Sequence, residues 1–103
     1  MTKLKVTVVR CFTNEEIFGD EVPEHLDSNI SPCHQHHPGQ VFMMESMDCP
    51  EGFCSWAYDD IYRDLAHLWM GGDFPFIGRP GTMFSSCTDG KRTVVFKLER
   101  VEE

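Results

Sequence analysis

Cys33 and His36 stand three residues apart, a spacing at which one turn brings a thiolate and an imidazole onto the same ion. Cys54 and Cys87 extend that half-site. Each of the three cysteines lies where an element begins or ends, so all three can gather at one edge of a sheet. With His36 they make a Cys3His set, suited to tetrahedral zinc or iron. His34 and His37 read as exposed loop histidines, and His25 and His67 carry no signal. The interval from Cys54 to Cys87 is not that of a zinc finger, and no Cys-x-x-Cys of the thioredoxin kind is present.

The same thiols support a metal-free reading. Cys54 stands at the start of a helix, where free amides favour the thiolate, the form that attacks. Arg92 follows an Asp89-Gly90 turn. In a two-residue hairpin it stands opposite Cys87, where it favours thiolate or holds an anionic ligand. On this reading Trp56, Tyr58, Phe74 and Phe76 wall a pocket whose polar groups are Cys54 and Arg92. The protein is then a small thiol-dependent enzyme or a ligand-binding module, its small-molecule ligand unknown. A third reading is an accessory protein whose acidic face or 74–77 segment docks on a larger partner or, in a homo-oligomer, on a second copy.

These residues need elements to position them. Ala57, Ile61, Leu65 and Leu68 recur at helical spacing, and Trp56, Tyr58, Tyr62 and Trp69 widen that stripe. Ser55 reads as the N-cap, Asp59, Asp60 and Asp64 suit the positive end of the dipole, and Gly71-Gly72 is a natural stop. Lys3 to Cys11 alternates, with Leu4, Val6 and Val8 on one face, and predicts a strand. Val41 to Glu45, Thr82 to Cys87 and Arg92 to Val101 predict three more. Asp89-Gly90 between the last two is a hairpin signal. Residues 12–32 read as a long loop with a helical turn at Glu15 to Phe18 or Pro23 to Leu26.

The expected fold is α+β, a mainly antiparallel sheet of about four strands with one main helix packed on one face. Residues 1–103 are long enough for a single domain. Hydrophobic content of 41% and charged content of 25% are those of a soluble globular chain. No apolar run approaches the ~20 residues of a membrane span, and the alternating N-terminus lacks a signal-peptide block. A cytoplasmic location is therefore expected. There, five cysteines are free thiols or ligands rather than a disulfide framework. The net charge of -8 argues against nucleic acid and against an anionic membrane as partners.

Pro50-Glu51-Gly52-Phe53-Cys54-Ser55-Trp56-Ala57, Asp60-Ile61-Tyr62, Gly71-Gly72-Asp73-Phe74-Pro75, Cys87-Thr88-Asp89-Gly90 and Val95-Phe96-Lys97-Leu98-Glu99-Arg100 together resemble a family of small uncharacterised prokaryotic proteins. The resemblance spans nearly the whole chain. It includes a cysteine matching Cys33, followed by Gly39-Gln40-Val41-Phe42, and an arginine matching Arg92. Lys91 and Thr93 depart from the pattern, where Leu and Pro are usual, and Cys49 is an extra. The resemblance implies no activity. It does imply that Cys33, Cys54 and Cys87 form one site.

Overall fold

The computed structural model describes residues 2–26 and 30–102, with the backbone alone at Glu102. Asp27, Ser28 and Asn29, within the expected 12–32 loop, lie outside the described residues. Among the described residues, four antiparallel strands form one sheet: β1 (Thr2–Cys11), β2 (Val41–Met44), β3 (Thr82–Ser86) and β4 (Val94–Glu102). Their order is β2-β1-β4-β3, so the first and last strands are neighbours and β1 is central. Together with two α-helices, α1 (Asn14–Phe18) and α2 (Ser55–Trp69), this is an α+β architecture. Among the described residues no helix is long and apolar enough to cross a membrane.

Alternation explains the sheet. Leu4, Val6 and Val8 of β1 are buried, as are Val94, Phe96 and Leu98 of β4. The register sets Val6 opposite Leu98 and Val8 opposite Phe96, so large side chains meet across the strands on the inner face. Between Val8 and Arg10 the register shifts. Val9 is the additional residue of a bulge, and Cys11 consequently pairs with Val94.

The stripe of α2 enters the same core. Ala57, Ile61, Leu65 and Leu68 are buried in one cluster with the inner residues of the strands. Burying a leucine or isoleucine completely stabilises by roughly 1.5–3 kcal/mol, so this stripe fixes where the helix lies. The widened stripe is only partly found. Tyr58 is buried, but Trp56 is 82% exposed and Tyr62 is also exposed. Asp64 is buried instead, and the first turn of α2 holds no acidic residue.

Both ends of α2 depart from simple capping. The N-cap is Cys54, not Ser55, and its side chain makes no capping bond. At the other end the chain turns through Gly71, whose φ of 91° favours glycine. At Gly72 a Cβ would fall 2.4 Å from the His67 ring. Arg100 donates to the carbonyls of Leu68 at 3.1 Å and Gly72 at 2.7 Å, placing a cation at the negative end of the dipole.

Candidate functional site

Three segments meet at the start of α2. The first is the turn that carries Cys33 and His36. It hangs from the loop between β3 and β4, because Arg92 Nη1 donates to the Ile30 carbonyl at 3.0 Å. Asn14 is buried: its side-chain amide donates to the Lys91 carbonyl, while its backbone amide donates to Ser31 Oγ at 3.1 Å.

The second segment is the β3–β4 loop itself, which is not the expected two-residue hairpin. β3 ends at Ser86 and β4 begins at Val94, and Cys87 faces Val94 rather than Arg92. The Cys87 amide donates to the Val94 carbonyl at 3.1 Å, and the Val94 amide donates to Cys87 Sγ at 3.2 Å. The loop is built on Asp89. Its carboxylate accepts from the Lys91 amide, Lys91 Nζ and Arg92 Nε at 3.2, 3.1 and 2.8 Å. Its carbonyl accepts from the Thr93 hydroxyl at 2.6 Å. Burial pushes the Asp89 carboxyl up, but the bonds from Arg92 and Lys91 outweigh it and hold the group below its ordinary value.

The third segment is the head of α2. Asp60, expected to serve only the helix dipole, accepts from both the amide and the hydroxyl of Thr88. It thereby ties the residue after Cys87 to the helix that Cys54 begins. No feature of the sequence marks this partnership. Asp60 and Thr88 are an ordinary helix carboxylate and loop hydroxyl until the fold brings them together.

Between these segments lies a cavity of about 370 Å³ whose lining includes Cys33, Cys54, Cys87, Trp56 and Arg92. The three expected cysteines thus share one hollow. The hydrogen bond that Arg92 donates to Asp89 raises the Arg92 pKa, burial opposes it, and the charges of Asp89, Cys33 and Cys54 add to the rise. Arg92 shares the cavity lining with both of those cysteines.

Other expected members lie elsewhere. Tyr58 donates its hydroxyl to the Met47 carbonyl. Phe74 lines a separate hollow with Asp73, Pro75 and Arg79, and Phe76 is 77% exposed. Neither phenylalanine walls the thiol cavity.

His36 also lines the cavity, but not as a free ligand. Its Nε2 accepts the backbone N–H of Cys54 at 3.2 Å, and its Nδ1 lies 2.8 Å from Gln40 Oε1. An amide can only donate, so Nε2 carries no proton and Nδ1–H donates to Gln40. The ring is 3% exposed and packs against Phe42, Phe53 and Phe96. Both nitrogens are in use. Among the described residues no group of three or more His, Cys, Asp or Glu is arranged to hold a metal ion.

The remaining cysteines differ from these. Burial, with the nearby Cys33 and Cys87, pushes the Cys11 thiol up, and its S–H donates to the His36 carbonyl at 3.4 Å. Cys49 is exposed, yet partial burial, Cys54 and Asp59 push its thiol up as well. No protein-family model matches the chain, and no curated protein or solved structure matches it.

Proposed function

We propose that this protein binds a small anionic, electrophilic molecule in the thiol cavity, with Cys54 as the nucleophile. The observation that carries the reading is the shared lining of one hollow by three cysteines, Arg92 and Trp56. A guanidinium suits a carboxylate end, the indole gives an apolar face, and the first amides of α2 are free to favour negative charge. In the reaction the Cys54 sulfur bonds to an electrophilic carbon. The thiol proton passes to solvent, and the leaving group departs with its bonding electrons. The reading takes residues 1–103 as one cytoplasmic domain with α2 as the main helix over one face of the sheet.

Iodoacetate and iodoacetamide test it, since they differ mainly in charge. Cys54 should prefer iodoacetate several-fold more than a free cysteine peptide does, and Arg92→Met should abolish the excess. Equal preference in protein and peptide overturns the reading.

Metal binding is the second reading, favoured by three sulfurs on one cavity. Zinc or iron would take Cys33, Cys54 and Cys87, and His36 could join only by releasing the Cys54 amide. Elemental analysis of untagged protein, purified anaerobically, should find close to one equivalent. Less than ~0.1 equivalent of any transition metal excludes it. The exposed Phe76 favours a third role, docking on a protein partner or a second copy, which size-exclusion chromatography and co-purification would detect.

A further inference from the structure

We infer that His36, oriented by Gln40, is a positioning residue for Cys54: a neutral imidazole that holds the head of α2 and so aims its sulfur into the cavity. The inference rests on the reading of Cys54 as the nucleophile.

The connection runs from the centre of the sheet. Gln40 is fastened to β1, because the Val8 amide donates to the Gln40 carbonyl and the Gly39 amide to the Val8 carbonyl, both at 2.8 Å. The Gln40 side chain faces Nδ1 of His36, and its carbonyl oxygen selects the tautomer with the proton on Nδ1. That tautomer leaves the Nε2 lone pair for the Cys54 amide. Three phenyl rings, with centroids 4.8 to 5.7 Å away, hold the imidazole plane. No rotation of the ring can occur without displacing them.

Cys54 needs such an anchor. It is the N-cap of a 15-residue helix, yet its side chain caps nothing. Its sulfur is therefore placed by backbone geometry, and the amide is the backbone group held from outside the helix. The arrangement also accounts for two stretches that the cavity alone leaves unexplained. Gly39-Gln40-x-Phe42 supplies the Nδ1 partner and one ring. Phe53-Cys54 supplies a second ring and the amide. The two stretches are distant in sequence and meet on one imidazole.

Substitutions separate positioning from mere stability. His36→Phe keeps an aromatic ring among the phenylalanines but has no acceptor. His36→Gln places a side-chain oxygen near the Nε2 position and restores one. The readout is the preference of Cys54 for iodoacetate over iodoacetamide, with Cys33 and Cys87 in the same molecule as internal references. His36→Phe should remove most of that several-fold excess, bringing the preference close to the peptide value, because ångström-scale misplacement is enough to do so. It should leave the reference thiols unchanged, and His36→Gln should recover most of the loss. If the wild type shows no preference, the nucleophile reading fails. If the wild type shows it and His36→Phe retains it, the positioning role fails while the nucleophile reading stands. Should His36→Phe not fold, nitrogen NMR of the wild-type ring decides the matter. A proton on Nδ1 and none on Nε2 is required, and the opposite tautomer overturns the inference.

Discussion

Asp60 accepts the backbone amide of Thr88 at 2.8 Å and its hydroxyl at 3.0 Å, joining residues 28 positions apart. One carboxylate in α2 thus holds the loop that follows Cys87. A charged acceptor of this kind contributes more than a neutral one. Asp60→Ala should lower stability to denaturant by about 1–2 kcal/mol. It should also speed hydrogen exchange at the Thr88 amide by more than at the core amides of β4. Asp60→Asn keeps one oxygen and should fall between. Unchanged exchange at Thr88 in the alanine variant would show that the loop stands without this clamp.

The five thiols should separate by reactivity. Cys54 is expected to alkylate fastest near neutral pH, since it heads the helix. Cys49 is the most exposed of the five but has a raised thiol pKa, from burial first and then from Cys54 and Asp59. Its rate should therefore climb only at a pH above that of a free cysteine. Cys11, raised by burial on a central strand, should be nearly inert in the folded protein. Peptide mass after timed alkylation gives the order. Faster labelling of Cys33 or Cys49 than of Cys54 at every pH below ~8 would remove the helix-start argument.

Arg100 works at the opposite end of α2. Its side chain donates to the carbonyls of Leu68 and Gly72 and to Asp73. Arg100→Met keeps the apolar stem but leaves those carbonyls without this donor. Unfolding should become easier by about 2 kcal/mol, with the cysteine reactivities little altered. Equal loss of Cys54 selectivity would mean that the two ends of the helix are coupled, contrary to this expectation.

Acid should weaken two of these anchors. The Asp73 carboxyl is held below its ordinary value of 3.8 by Arg100 and then by the Gly81 amide. Asp89 is lowered too, its bonds to Arg92 and Lys91 outweighing burial. In each case the unfolded chain binds the proton more readily than the folded one. The stabilisation is therefore complete above the unfolded value and is lost as pH falls through the lower folded value. The stability gap between wild type and Asp89→Asn should be constant near neutrality and shrink below about pH 4. A gap that widens on acidification would reverse the assigned direction.

Much of the sheet and of α2 could be read from periodicity, because burial on one face imposes it. Leu4, Val6 and Val8, then Val94, Phe96 and Leu98, show the strand alternation, and Ala57 to Leu68 shows the helical one. The loop was less legible. Asp89-Gly90 resembles a tight turn, yet among the described residues none other than glycine has positive φ, and Gly90 does not have it either. Side chains decided its shape: Asp89 gathers Lys91 and Arg92, and Asp60 takes Thr88. The N-cap was missed for a related reason, since the Cys54 amide is held by a residue 18 positions earlier. The cysteines could be grouped from their places at element ends. The role of His36 could not, because metal-ligand spacing and a buried, doubly bonded ring look the same in a string of residues.

The bulge at Val9 acts on β1 as a change of phase. Strict alternation from Leu4 would send Cys11 outward with Lys5 and Thr7. With one residue interposed, Cys11 lies opposite Val94 instead, where burial first and then Cys33 and Cys87 raise its thiol. The bulge, by taking Val9 out of the alternation, keeps this fourth thiol with the inner group. Deleting Val9 would return the strand to even stepping with Cys11 two positions beyond Val8 and still inward, whereas flattening the bulge with Val9 kept would turn Cys11 outward without altering any cysteine. Membership of that group therefore depends on a step in the backbone that a comparison of cysteine positions alone would overlook.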